Sequence, residues 1–304
     1  MKKTINYFLG IAGITAMIAL AGCSKSSSSL PPINGYNSSN DVAKDNLKAH
    51  WTFDNTKVEV VSSVAPTADH GSSYTSGVIG QAIKLDSGYL TYPMISSLGS
   101  DTLAMTSFSV SLWFKGVKNN HGWPTELFAI TQAVATQTDW NTGPFNMTIE
   151  TGWKASTNDT IPLHPSFDAY VNQNQSHQDN VTNGDFKDLG VKWNAVTVTG
   201  DPWIHCVCVY DQSNGSFVIW ANGVLVSNTN YQSRFGGNAQ PLYVRPPLSA
   251  VVGGFPNVST GFANSATQTW QGWATGTVDE IRVYNKALTP LEIGSLLALG
   301  EAGR

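Results

Sequence analysis

Apolar and polar positions alternate along most of this chain with a period of two. In "FSVSLWFKG", Phe108, Val110, Leu112 and Phe114 fall on one face, and Ser109, Ser111, Trp113 and Lys115 on the other. That spacing predicts a strand. "WIHCVCVYD", from Trp203, is largely apolar on both faces, as a central strand is. "FVIWANGVLV", from Phe217, predicts a hairpin, because Asn222-Gly223 accepts the positive φ of a type I′ turn. "GTVDEIRVYN", from Gly276, predicts a strand with Val278, Glu280, Arg282 and Tyr284 opposite Asp279, Ile281 and Val283. Only the end reads as a helix. In "LTPLEIGSLLALG", Thr289 is the N-cap, Pro290 the first helical residue, Glu292 closes a capping box and Gly300 is a stop.

The N-terminus follows another logic. Lys2 and Lys3 precede a short apolar run from Phe8 to Leu20, too short for a membrane span. Small residues and Cys23 follow, the layout of a secretory signal peptide. Leu20-Ala21-Gly22-Cys23 resembles the bacterial lipobox, which implies lipidation of Cys23 and removal of residues 1–22. Ser24, not aspartate, comes next, so the outer membrane is the expected location. Residues 23–45 open on a Ser-, Pro- and Asn-rich run that suits a flexible tether. Residues 46–304 are long enough for one large β domain.

Composition narrows the partners. Charged residues make up 12% of the chain and the formal net charge is −4, becoming −6 once Lys2 and Lys3 leave. No basic cluster stands out, which argues against nucleic acid. Cys206 and Cys208 would share one strand face, as two small buried hydrophobes rather than a disulfide or metal pair.

Five blocks in order carry a family resemblance: "AHWTFDNT", "GVIGQAIKLDSGYLTYP", "TSFSVSLWFKG", "WIHCVCVYDQSNGSFVIWANGVLVSN" and "GTVDEIRVYNKALTPLEIGSL". From about Ala49 to Leu297 the chain resembles the laminin-G-like, concanavalin A-like jelly-roll family. The resemblance implies an all-β, two-sheet antiparallel sandwich with a short C-terminal helix and a concave side. It also implies a structural Ca²⁺ tying the first strand to the last, with Asp279 as carboxylate ligand and Asp54 and a backbone carbonyl near Gly80 completing the oxygen set. The chain departs from the family at about 116–202, a long insertion with strand-like pieces "LFAIT", "FNMTIET" and "FDAYVNQ".

No catalytic pattern stands out. The glucanase relatives carry carboxylates in an E-x-D-x-x-E strand, and none occurs here. Glu126 and Glu150 have no acidic partner at strand spacing. "AYVNQNQSH" offers Tyr170, Gln173, Gln175 and His177, as in lyase relatives, but no arginine strand accompanies it. The insertion also holds Trp123, Trp140, Trp153 and Trp193 in polar surroundings, where an indole can stack on a sugar ring. These four, with Tyr170, are the candidate ligand-binding residues. The expected function is glycan binding by an outer-membrane-anchored lectin-like domain, with the membrane reached only through the lipid. A structural or protein-adhesion module, and a glycoside hydrolase or polysaccharide lyase, remain the alternatives.

Overall fold

The computed structural model describes residues 30–99, 106–119, 124–151, 160–172, 174–182, 196–197, 201–238 and 240–304. Cys23, Trp123, Trp153 and Trp193 lie outside them. Fifteen strands are described: β1 (Leu47–Trp51), β2 (Ala68–Ser76), β3 (Gln81–Tyr92), β4 (Phe108–Asn119), β5 (Thr125–Thr131), β6 (Phe145–Ile149), β7 (Thr160–Ile161), β8 (Leu163–Val171), β9 (Asn174–Asp179), β10 (Val196–Thr197), β11 (Ile204–Asp211), β12 (Ser216–Ala221), β13 (Val224–Leu225), β14 (Ser249–Val252) and β15 (Ala274–Tyr284). One α-helix, α1 (Pro290–Glu301), follows. No helix among the described residues is long and apolar enough to cross a membrane.

The pairing is antiparallel, and thirteen strands form one ladder in the order β13-β12-β11-β4-β15-β3-β14-β5-β6-β8-β9, with β1 added on β15 and β2 on β3, while β7 pairs with β10 apart from it. β15 divides this ladder. Its first half pairs with β3 and its second half with β1, while β4 runs along its other edge. The two flanks then face each other as a jelly-roll sandwich. Phe108 and Phe217 of one flank pack on Phe145 and Phe167 of the other, with centroids 4.7–6.0 Å apart for the pairs in contact. Cys208 Sγ lies 3.7 Å from Met147 Sδ across the same layer. Apolar burial of this extent is the main force holding the sheets together.

The core explains the strand readings, with two corrections. Phe108, Val110, Leu112 and Phe114 all enter it, as do Cys206 and Cys208, which are free thiols. Asn222 and Gly223 join β12 to β13 with φ of 47° and 74°, the turn the sequence predicts. The first correction is the alternation in β15. Val278, Ile281 and Val283 share the core, whereas strict alternation puts Val278 opposite the other two. A bulge between Asp279 and Arg282, with Glu280 at φ 50°, inserts one residue and reverses the faces beyond it.

The second correction concerns the tether. Residues 32–45 do not all belong to it. Val42 is buried beneath α1, Ser39 N donates to Arg304 O at 3.0 Å, and Arg282 Nη2 donates to Ser39 Oγ at 2.8 Å. A Ser/Asn-rich composition does not prevent docking where a strand supplies a buried arginine that needs acceptors.

The two outer faces differ. That of β11, β12 and β15 carries α1 on an apolar patch, where Val207, Val209 and Tyr284 pack against Ile293, Leu296 and Leu299, beside the buried His205 and Arg282. Residues 116–202 supply β5, β6, β8 and β9 to the second sheet and contribute Phe128, Met147 and Phe167 to the core. The outer face of these strands is polar.

Candidate functional site

The pairing of β6, β8 and β9 sets the polar face residue by residue. Thr148 sits opposite His164, Asn146 opposite Ser166, Asp168 opposite His177, and Ser166 opposite Asp179. Alternation puts Thr148 of β6 and Glu150, the residue just after β6, on one side, and His164, Ser166, Asp168 and Tyr170 on one side of β8. Residues distant in sequence thereby meet. His164 Nδ1 lies 2.7 Å from Glu150 Oε1, and its Nε2 lies 3.1 Å from Asp179 Oδ2. Arg234 Nη2 donates to Asp179 Oδ1 at 3.0 Å. His177 Nδ1 lies 3.1 Å from Asp168 Oδ1, and Gln175 Nε2 donates to the other oxygen of that buried carboxylate.

Electrostatics follow from these contacts. Burial works against protonated His164, but the hydrogen bonds to Asp179 and Glu150, and their charges, outweigh it and raise its pKa to about 9. The hydrogen bond from His164 holds Asp179 below the usual carboxylate range, against burial and with help from Arg234. Both imidazole nitrogens therefore carry protons and both point at carboxylates. Glu150 is 8% exposed, and its second oxygen, Oε2, is buried without a hydrogen-bond partner.

Two indoles wall the cleft above these groups. The cleft has a volume of ≈ 250 Å³ and is lined by Trp140, Trp270, Thr148, Glu150, His164 and Asp179, among others. Trp140 and Trp270 are half-buried and meet edge to face at 5.5 Å, and each packs in the same way on Phe255, at 5.4 and 5.2 Å. Trp140 is further fixed by its loop: its backbone N–H donates to Asp139 Oδ1 at 2.7 Å, and Asn146 Nδ2 donates to its backbone carbonyl at 3.3 Å. Tyr170 does not line this cleft. It lies farther along β8, 41% exposed, and stacks on Tyr243 at 5.8 Å. Arg245 lies over the Tyr243 ring at 4.8 Å.

Trp140, a candidate from the sequence, lines this cleft, and most of its neighbours there are not legible from local sequence. Glu150 has no acidic partner on its own strand, yet shares one histidine with Asp179, which is 29 positions away. The arginine absent from strand spacing arrives as Arg234 from a loop. Trp270 comes from "TWQGW", a signal in plain view but outside the insertion. His205 is structural. It stacks on Trp113 at 4.8 Å, its Nε2 meets Ser111 Oγ at 2.9 Å, and burial, with Arg282 nearby, lowers its pKa to about 3.

The residues singled out for calcium converge elsewhere, on the turn between β2 and β3. Asp279 Oδ2 accepts the N–H groups of Val78 and Ile79 at 2.7 and 3.3 Å. Its Oδ1 is buried without a partner. Asp54 Oδ1 accepts from Gln81 N at 2.6 Å, and it would lie 2.0 Å from a Cβ placed on Gly80, so only glycine admits it. Among the described residues no cluster of three or more His, Cys, Asp or Glu could hold a metal. A cation here would need backbone oxygens beside the two carboxylates.

No protein-family model matches the chain, and no curated protein matches it in sequence. Solved structures do resemble it. The binding domain of botulinum neurotoxin DC, in complex with rat synaptotagmin II, matches with TM-score 0.52 and 11% identity over 84% of this chain and 52% of that one. The serotype D/C VPI 5993 binding domain matches with TM-score 0.51 and 13% identity over 84% and 52%. Domain 4 of AbnA, a GH43 extracellular arabinanase from Geobacillus stearothermophilus, in complex with arabinotriose, matches with TM-score 0.47 and 21% identity over 83% and 98%. The chain thus spans about half the length of the neurotoxin domains. At such identities the likeness is one of fold, and function must be argued from the site.

Proposed function

We propose that this protein is a glycan-binding, lectin-like domain whose site is the cleft walled by Trp140 and Trp270. The observation that carries the reading is Glu150 Oε2, a buried acceptor without a partner, beside two half-buried indoles. A sugar ring presents an apolar C–H face and outward hydroxyls. The indoles suit the first, and Glu150, Thr148 and Ser166 suit the second. The arabinanase domain was solved with arabinotriose, which accords with the reading without arguing for it.

The test is a glycan array followed by calorimetry on the purified protein. Trp140→Ala should weaken binding by about 1–3 kcal/mol, roughly ten- to hundredfold. Glu150→Gln keeps the shape of the side chain and should weaken binding as well. Unchanged affinity in both variants, with unchanged melting, would place the ligand elsewhere.

Two further parts of the reading come from the sequence. The first is a lipid anchor at Cys23 in the bacterial outer membrane. Labelled fatty acid should enter the wild-type protein and not Cys23→Ala, and label retained in the variant would end that proposal. The second is a structural Ca²⁺ at Asp279, Asp54 and the carbonyls near Gly80. The orphaned Asp279 Oδ1 and the all-oxygen donor set fit a hard cation. Bound there, it would tie β15 to the β2–β3 turn.

A further inference from the structure

The loop that supplies Trp270 also walls a second cleft. This one has a volume of ≈ 440 Å³. Phe255 lines it, and Phe255 packs on Trp140 and Trp270 of the first cleft. Its other walls include Asn257, Ser259, Thr269, Gln271 and Trp273, and no lining residue carries a charge. None of these positions lies in the insertion to which the sequence directs attention.

Two features make it a built site. Trp273 is half-buried and held from several sides. His70 and Tyr89 pack on its ring at 4.6 and 4.9 Å, and its Nε1 donates to Ser259 Oγ at 3.1 Å. A ring already fixed in place loses little freedom when a ligand stacks on it. The second feature is Gln271. Its Oε1 accepts from Asn257 Nδ2 at 2.6 Å and from Gln268 N at 2.9 Å. The backbone donor fixes the amide orientation, because a flipped amide would set NH₂ against N–H. Gln271 is 8% exposed, and its Nε2 is buried with no hydrogen-bond partner. Such a donor calls for an acceptor.

We propose that this cleft is a second carbohydrate site, selective for neutral sugar units. The proposal rests on the glycan reading for its class of ligand. Its selectivity follows from the walls. A carboxylate, sulfate or ammonium group would lose water here and find no counter-charge. A neutral sugar loses only hydroxyl hydration, which the amides and hydroxyls of Asn257, Gln271, Ser259 and Thr269 can replace. Gln271 Nε2 donates to a sugar oxygen, and Trp273 offers its ring to the C–H face. Binding at an uncharged site is also insensitive to salt.

The experiment is calorimetry on the purified protein with neutral trisaccharides of glucose, xylose, mannose and arabinose, and with trigalacturonate, at low and at high sodium chloride. At least one neutral trisaccharide should bind with similar affinity at both salt concentrations, and trigalacturonate should show no binding that depends on Trp273. Trp273→Ala and Gln271→Leu should each weaken binding roughly tenfold or more. Thr269→Lys, at an exposed lining position, introduces charge and bulk without loading the core, and should also weaken it. It keeps the test sound if either buried variant unfolds. If Trp140→Ala abolishes binding while all three of these variants bind like wild type, the second site falls and the first stands. If the three lose binding and Trp140→Ala does not, the first cleft falls and the second stands. Binding of trigalacturonate that depends on Trp273, or binding of no neutral trisaccharide, overturns the proposal.

Discussion

Asp54 reaches the β2–β3 turn only because residue 80 has no side chain. Gly80 combines that close approach with a φ of 56°, so a substitution there meets both strain and a clash. Asp279 reaches the same turn from β15, 199 residues later in the chain. Only the family resemblance connects these positions beforehand, since nothing in their spacing does. The calcium proposal makes a definite prediction at this scale. A cation bound only by the folded state stabilises it by mass action, so chelator should lower the melting temperature of wild type. Asp279→Asn should remove that response. An unchanged melting curve in wild type with chelator would reject the site. Glu150 teaches the opposite lesson. Read along its own strand it is an isolated carboxylate, because its histidine comes from β8 and its fellow carboxylate from β9.

The helix was legible in detail. Thr289 Oγ1 accepts from Glu292 N at 3.3 Å, and Glu292 Oε2 accepts from Thr289 N at 2.8 Å, the reciprocal box that the sequence predicts. Such a box depends on residues three apart, so local sequence specifies it. Thr289→Ala should cost about 1 kcal/mol, seen as a lower denaturation midpoint with unchanged slope. A neutral effect would mean that packing alone holds the helix start. The far end is a tertiary matter. Gly300 does not stop the helix, which continues to Glu301. A Cβ on Gly300 would come within 2.5 Å of Trp113 Cζ2, so glycine there serves close packing of α1 on β4. The bulge in β15 belongs to the same class. Glu280 adopts a positive φ that its residue type does not signal, in contact with His50 at 2.8 Å and with Arg282.

At the scale of the whole molecule, the fold stores protons. Burial raises the pKa of Glu126 from 4.5 to about 8, against hydrogen bonds from Asn146 and Met147 N. His164 is raised from 6.5 to about 9. In both cases the folded state holds a proton that the unfolded chain has released, so stability falls as pH rises through the window between the two values. Melting temperature should therefore decline from pH 4.5 to 8 through Glu126, and from 6.5 to 9 through His164. Glu126→Gln, with no proton to lose, should flatten the lower part of that decline. An identical slope in the variant would mean that Glu126 is ionised in the folded protein.

The alternation of Phe108–Phe114, the Asn222-Gly223 turn and the Thr289 box are local patterns. Each acts through neighbours two to four residues away, so the order of amino acids is enough to specify it. Five such blocks in succession also carry the sandwich. The candidate site depends on something else. His164 meets Glu150 and Asp179 because β6, β8 and β9 pair in one register, and Trp270 meets Trp140 because both pack on Phe255. Strand order and register are fixed by burying one face of each strand in a shared core. That is a property of all the strands together, and no stretch of sequence carries it alone.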